Sequence, residues 1–199
     1  MRRNVVLKGP RANLFMGADT IADAADGPEG LRYEPMHTKE IAPSLARLFS
    51  ELVEGTDGSA GAFMLNSGDA GLLRSLDKIS ASDASCSVNG GATIAAHAQH
   101  LRYGLSLMNR WAAHGGNPFA DAKWDEAWRT TDVDAAAWQE ILDGLRGETQ
   151  RWVAVLNSPR ELAEVELTGM IGSIAHLAYH LGAIRQINKD ARGPREGTF

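Results

Sequence analysis

Four segments of the chain carry apolar residues at the three-to-four-residue spacing of an amphipathic helix, and this periodicity most limits the folds open to the chain. Each segment is about 20 residues long, and no alternating, strand-like pattern competes with the helical one there. The predicted long helices cover about residues 38–55, 92–114, 133–156 and 168–189. Four such helices predict an all-α fold, specifically a four-helix bundle.

The rest of the chain is organised around these helices. A shorter amphipathic segment, residues 67–79, predicts an accessory helix, while scattered Gly and Pro over residues 1–37 predict an irregular N-terminal arm. We therefore predict a bundle domain over residues 38–190, preceded by this arm and followed by a tail over residues 191–199. The apolar stripe of the fourth long helix consists of Met170, Ile171, Ile174, Leu177, Leu181 and Ile184.

Composition narrows the functional classes. The 199 residues include 20 Lys plus Arg against 25 Asp plus Glu, and the resulting net charge of -5 argues against a nucleic-acid partner. The one cysteine, Cys86, cannot close an intrachain disulfide, which fits a reducing cytoplasm, and its polar surroundings predict a bystander thiol. We find no apolar run of the ~20 residues that cross a bilayer and no export signal, so we expect no membrane partner.

Four of the six histidines fall on two predicted helices, His97 and His100 on the second and His176 and His180 on the fourth. His176 and His180 are four residues apart, so both imidazoles leave one helix face and can share a metal ion. The pair alone is a weak signal, because two histidines on a polar face are often only solvated. A third imidazole from the second helix would complete a site with open coordination positions, as in catalytic metal sites. No H-E-x-x-H motif is present.

The second helix offers two candidates for that third imidazole. His100 lies at the flank of the apolar stripe, near the small residues Ala96 and Gly104, whereas His97 lies closer to the centre of the stripe. The sequence therefore predicts that His97 is either a core histidine or an alternate ligand.

Several other residues have both a chemical and a packing interpretation. Trp124 and Trp128, in the polar link before the third long helix, either cover an apolar ligand or simply bury area. Tyr179 leaves its helix away from the face of His176 and His180, which predicts packing. Arg185 is predicted to pack or to form a salt bridge.

Two histidine-bearing segments resemble motifs of one known family. Residues 174–186 (IAHLAYHLGAIRQ) resemble the last-helix motif of the DinB-like superfamily, and residues 93–101 (TIAAHAQHL) resemble its second-helix motif. The resemblance covers about residues 38–189 in helix order, including the link that carries the two tryptophans.

The resemblance implies a four-helix bundle, often a homodimer, in which three histidines hold one divalent metal ion. Carried over by position, the ligands are His100, His176 and His180, with His97 as the other residue that can occupy the second-helix place. The ion would be Zn, Ni, Mn or Fe, since imidazoles accept several first-row metals. Some members of the superfamily are transferases or isomerases that use a low-molecular-weight thiol, mycothiol or bacillithiol.

We therefore expect a metal-dependent transferase or hydrolase that acts on a small molecule, with a low-molecular-weight thiol as a further cofactor. No Asp or Glu is predicted on the ligand faces of the two helices, which favours a cofactor that brings its own nucleophile over a water activated by a general base. No catalytic side chain is predicted. The alternative is a non-catalytic, dimeric helical-bundle binding protein.

Overall fold

The computed structural model describes residues 36–56 and 61–194. The chain divides into two units, Met1–Leu31 and Arg32–Phe199, and every element below belongs to the second. The predicted irregular arm over residues 1–37 thus lies outside the described residues, apart from Met36 and His37, which form a short strand. Of the predicted tail, residues 195–199 also lie outside them, whereas Ala191 is buried.

The described residues are mostly helical, which confirms the predicted all-α class. Their α-helices, in chain order, are α1 (Ala42–Glu54), α2 (Gly71–Leu76), α3 (Ala81–Ala84), α4 (Ile94–His114), α5 (Trp124–Ala127), α6 (Ala135–Leu156) and α7 (Glu164–Ile187). Single 3-10 turns occupy Thr38–Glu40 and Lys189–Ala191. Strands β1 (Met36–His37) and β2 (Glu161–Leu162) pair antiparallel and tie the residues before α1 to the link before α7.

The long helices begin and end at residues that cap them. The Thr93 hydroxyl accepts a hydrogen bond from the Ala96 N–H at the start of α4, and the Asp134 carboxylate accepts one from the Ala137 N–H at the start of α6. Gly115 ends α4 with a φ of 68°, a left-handed conformation that costs glycine little. The sequence therefore positions both ends of the helix that carries His97 and His100.

Some predicted features of the helices differ from the observed ones. The fourth long helix begins at Glu164 rather than near residue 168, because the Glu166 carboxylate accepts a hydrogen bond of 2.8 Å from the Ala163 N–H and caps an earlier first turn. The accessory helix is shorter than predicted, and the predicted loop after it contains α3. Ile171, predicted in the apolar stripe of α7, is 52% exposed, so the buried face of α7 is narrower than the stripe.

The four long helices enclose the core. α4 contacts α6 and α7, and α1 contacts the same two helices. The fully buried side chains that meet there come from all four helices and include Phe49, Leu52, Leu101, Leu145, Trp152 and Leu177. The Trp152 indole N–H donates to the Ser173 hydroxyl at 2.8 Å, so its polar atom is satisfied within the core. This packing sets α4 and α7 side by side.

Glu51 is a buried carboxylate that anchors the residues after α1. It accepts backbone N–H hydrogen bonds from Phe63, Met64 and Leu65 at 2.7 to 3.1 Å. Burial by itself would raise the pKa of Glu51, but these hydrogen bonds and the charge of Arg47 outweigh burial and lower it. The ionised form is therefore the one that the fold stabilises.

An ion pair with a buried carboxylate and a close backbone crossing hold α2 against α1 and α7. Arg185 donates to the Asp69 carboxylate at 2.6 Å, which confirms the predicted salt-bridge role, and Asp69 also accepts from the Gly71 N–H at 2.8 Å. Gly55, with a φ of 80°, approaches this turn so closely that a Cβ there would overlap the Asp69 carbonyl oxygen. Only glycine fits at this crossing.

Among the residues that the structure describes, α7 alone is long and apolar enough to cross a membrane, which differs from our expectation that no segment would be. The buried core helix of a water-soluble domain meets the same criterion, and 44% of the relevant window is buried within this protein. The helix is therefore weak evidence for a membrane span.

Candidate metal centre

The side-by-side packing of α4 and α7 brings together the histidines of the two predicted motifs. His97 and His100 lie one turn apart on α4, and His176 and His180 lie one turn apart on α7. At the contact with α7, Gly104 of α4 lies so close to His176 that a Cβ there would stand 4.0 Å from the His176 Cε1 atom. A small residue at this point lets the two helices approach closely enough for imidazoles to meet between them.

Three ring nitrogens converge at this contact. His176 Nε2 lies 2.9 Å from His180 Nε2 and 3.1 Å from His100 Nε2. One nitrogen from each ring lies within 4.8 Å of the other two, so the three predicted ligands form a group that could hold a metal ion. Neighbouring ligands of a tetrahedral zinc ion with Zn–N bonds of 2.0–2.1 Å are about 3.3 Å apart, so a small expansion of the group would admit the ion.

Burial keeps these imidazoles neutral. His180 is 1% exposed, His100 6% and His176 8%. Removal from water lowers the pKa of His176 to about 4, and removal from water together with the charges of the neighbouring histidines lowers the pKa of His100 to about 3 and that of His180 to about 2. At neutral pH each ring carries one proton and one lone pair, the form in which histidine binds metals.

The three Nε2 atoms are better arranged to bind a cation than to form hydrogen bonds with one another. His176 Nε2 faces two other Nε2 atoms, yet a neutral ring nitrogen offers either one proton or one lone pair. If it donates, one proton must serve two acceptors, and if it accepts, two protons compete for one lone pair. A cation accepts a lone pair from all three nitrogens at once. Imidazole ligands suit Zn, Fe and Ni, whereas Mn prefers oxygen, which the group does not contain.

The two tryptophans of the link before α6 lie against the histidines. The Trp128 ring stacks on His100 with centroids 4.3 Å apart and meets the His97 ring edge-on at 5.3 Å. The Trp124 ring lies 5.5 Å from that of His100 and passes over Gly104, where a Cβ would stand 3.7 Å from the indole. The sequence left open whether these rings cover a ligand or bury area. They form a half-buried apolar wall over His100.

His97 lies outside the three-nitrogen group and behind His180. Its Nδ1 is 2.7 Å from His180 Nδ1, on the side of that ring away from the Nε2 atom that faces His176. His97 is 7% exposed, and burial lowers its pKa to about 4. From the sequence, His97 was predicted to be a core residue or an alternate ligand; its contact with another histidine was not predicted, because no local pattern signals it.

Two further residues could take part in chemistry, one beside the group and one away from it. Tyr179 was predicted to pack, which is wrong, because its side chain is 62% exposed; its ring meets that of His180 at a steep angle, with centroids 5.0 Å apart. Cys86 is exposed, and its thiol donates to the Ser82 carbonyl oxygen at 3.3 Å. This position agrees with a bystander thiol.

A cavity of about 770 Å³ lies elsewhere, among residues of α1, α2 and α6. Its cations already have protein partners. Arg146 pairs with Asp77 at 3.0 Å and Asp143 at 3.1 Å, and Arg47 donates to the Gly61 carbonyl oxygen at 3.1 Å. These arginines are therefore not available to bind an anionic ligand, and the cavity is a weaker candidate for a functional site than the histidine group.

Comparisons of the chain with protein-family models, with curated proteins and with solved structures gave no match. The resemblance to the DinB-like superfamily therefore stays a prediction from the two histidine motifs, and the candidate centre depends on its own geometry.

Proposed function

We propose that the protein is a DinB-like four-helix bundle that binds one divalent metal ion through His100, His176 and His180 and uses it in a transferase or hydrolase reaction on a small molecule. The observation that carries this proposal is the convergence of three buried, neutral Nε2 atoms from α4 and α7. The contacts among the four long helices agree with such a bundle. The proposed location is the cytoplasm, because a chain with one cysteine needs no oxidising compartment.

Three imidazole ligands leave at least one coordination position of a divalent ion open for a further ligand, as in catalytic zinc sites. A divalent ion held there would act as a Lewis acid, lowering the pKa of a water or thiol or polarising a carbonyl. The protein supplies the surroundings. The indole of Trp128 shields His100 from water on one side, and Trp124 adds an apolar surface for the carbon skeleton of a small substrate.

A thiol cofactor fits this centre better than an activated water. Within the described part of the chain, the group of metal-capable side chains consists of histidines and contains no carboxylate. A general base would assist attack by a metal-bound water, and no carboxylate of this group can play that part, whereas a metal-bound thiolate brings its own nucleophile. Transfer of a low-molecular-weight thiol to an electrophile is therefore the preferred reaction class, and hydrolysis is the other.

Metal analysis of protein purified without a His tag or chelating resin tests the site. We expect about one equivalent of Zn, Ni or Fe per chain, lost in the His176→Ala, His180→Ala double variant. His114→Ala is the matched control, because His114 is an exposed histidine at the end of α4. Wild-type protein that takes up no zinc, or a double variant that retains its metal, would remove these residues from the site.

Catalysis needs a separate assay. Metal-loaded wild type and the double variant would be incubated with electrophilic small molecules and, in turn, cysteine, glutathione, bacillithiol and mycothiol, with loss of free thiol as the signal. We expect turnover with at least one thiol in the wild type and none in the double variant. A parallel screen with esters and amides tests the hydrolase class. Metal-loaded protein that turns over neither class would contradict the enzyme proposal.

The exposed side of α7 favours a second candidate function, a non-catalytic dimeric binding protein. Ile171 and Tyr179 are eight residues apart and so share one helix face, where they are 52% and 62% exposed. A second copy of the chain would cover this face in a homodimer. Light scattering should then give a dimer mass for the wild type and a monomer mass for an Ile171→Lys, Tyr179→Lys variant, and a wild-type monomer would contradict the dimer.

A further inference from the structure

The contact between His97 and His180 joins two buried rings through the nitrogens that do not face the three-nitrogen group. His180 presents Nε2 to His176 at 2.9 Å and Nδ1 to His97 at 2.7 Å. Both distances are within hydrogen-bond range, and both rings are almost completely buried. His180 therefore has a partner at each of its two nitrogens.

One proton must lie between the two Nδ1 atoms. Each neutral imidazole carries a proton on one nitrogen and a lone pair on the other, so in this contact one ring donates and the other accepts. If His97 donates, the proton of His180 lies on Nε2, which then cannot bind a metal ion. If His180 donates, its Nε2 lone pair points at His176 and is available, and the proton of His97 lies on Nε2.

We propose that His97 is a positioning residue whose Nδ1 accepts the Nδ1–H of His180, and that this hydrogen bond fixes the tautomer and ring orientation in which His180 binds the metal ion. The inference rests on the proposed metal site. Metal-binding histidines commonly donate their second N–H to an acceptor, and that acceptor sets which nitrogen binds the metal. Here the acceptor is a neutral imidazole in place of a carboxylate or a carbonyl.

The surroundings of His97 hold it in this role. Its ring is fixed edge-on against Trp128, which also stacks on His100, so the acceptor and a ligand share one aromatic support. By contrast, His100 Nδ1 is buried without a hydrogen-bond partner. The acceptor therefore acts on His180, the most deeply buried of the three ligands.

A matched pair of substitutions at His97 separates hydrogen bonding from packing. Leu and Asn both place two atoms at the δ positions that the His ring occupies, but only Asn carries an oxygen there that can accept from His180 Nδ1–H. The zinc affinity of the full-length wild type, His97→Leu, His97→Asn and the control His114→Leu would be measured by competition with a chromogenic chelator. Circular dichroism and thermal melting of the metal-free proteins check folding.

We expect His97→Leu to bind zinc 10- to 100-fold more weakly with unchanged stoichiometry, the usual effect of removing the acceptor that hydrogen-bonds to a metal-binding histidine. His97→Asn should recover most of the loss, and His114→Leu should equal the wild type. Nitrogen-15 NMR of the zinc-loaded wild type should show the His180 proton on Nδ1 and the His97 proton on Nε2. The NMR experiment needs no variant, so it tests the proposal even if His97→Leu does not fold.

Each contrary result has its own meaning. His97→Leu with wild-type affinity would overturn the positioning role and leave the metal site intact. His97→Leu with zero stoichiometry would show that His97 is itself a ligand, and a His97 proton on Nδ1 would show that the hydrogen bond runs the other way. A wild type that takes up no zinc would instead refute the proposed function, and with it the inference.

Discussion

Lowering the pH from 7.5 to 5 should destabilise the metal-free protein severely, because four buried histidines stay neutral in the fold. Burial lowers the pKa of His97 and His176 to about 4, and burial with mutual repulsion lowers that of His100 to about 3 and that of His180 to about 2. In an unfolded chain a histidine titrates near ~6.5. Between these values the unfolded state binds protons that the folded state does not, so stability is fully present above pH ~6.5 and is lost as the pH falls.

The expected loss is large compared with ordinary stability. At pH 5 an unfolded-state pKa of ~6.5 favours the unfolded chain by about 2 kcal/mol for each histidine, or about 8 kcal/mol for the four. Domains of this size are stable by ~5–15 kcal/mol, so acid alone can unfold the protein. Glu51 does not contribute to the loss of stability between pH 7.5 and 5. Its lowered pKa gives stability that persists until the pH falls below the unfolded-state value of ~4.3.

Urea unfolding of chelator-treated protein, followed by circular dichroism at half-unit pH steps, measures the effect. The pH dependence should correspond to uptake of up to four protons on unfolding, and to one fewer in His176→Gln, whereas His114→Gln should match the wild type. A free energy of unfolding that changes by less than about 2 kcal/mol between pH 7.5 and 5 would refute the claim that these rings are held neutral.

Substitutions away from the histidines test the packing that positions them, each by urea unfolding at pH 7. Glu51→Gln should lose about 1.5–3 kcal/mol, because a charged acceptor of three backbone N–H groups becomes a neutral amide, and an unchanged midpoint would contradict that role. Asp69→Asn should lose about 1.5–3 kcal/mol, because a buried carboxylate that accepts from Arg185 becomes a neutral amide. The exposed ion-pair variant Asp125→Asn should lose less than ~1 kcal/mol, and equal losses would refute the distinction. Gly116→Ala should lose about 1–2 kcal/mol for its left-handed φ alone. Gly55→Ala should lose clearly more, because its Cβ also overlaps backbone, and similar losses at the two glycines would be contrary to the close crossing of Gly55 and Asp69.

The helical spacing of apolar residues predicted the four long helices well, because the positions of apolar residues within a segment determine which helix face is buried. The ends of α4 and α6 agree with prediction to within two residues, and each start differs because the helix begins directly after its capping residue, Thr93 or Asp134. The start of α7 was wrong by a turn, because Glu166 caps it from inside the segment. Ile171 was misplaced because spacing gives the centre of an apolar face more reliably than its edge.

The histidine group was only partly predictable. The spacing of His176 and His180 predicted a shared face. The choice between His97 and His100, however, depends on how α4 is rotated against α7, which is set by contacts between residues 76 and 83 positions apart in sequence. Which ring nitrogen faces which neighbour is likewise invisible in sequence. Asp69 was missed for the same reason, since its partner Arg185 lies 116 residues further along the chain.

The histidine group lowers the stability of the fold, and this loss of stability is an argument that the group has a function. Four neutral imidazoles in a core are less stabilising than apolar side chains of similar size, and His100 Nδ1 is buried with no hydrogen-bond partner. Sequences that break packing rules in this way do so mainly at functional sites. A bound ion would offset the cost, because binding only to the folded state at a free concentration 1,000-fold above Kd adds about 4 kcal/mol. Since protons and the ion compete for the same lone pairs, metal should move the acid transition to lower pH, and folding and metal binding become one linked equilibrium.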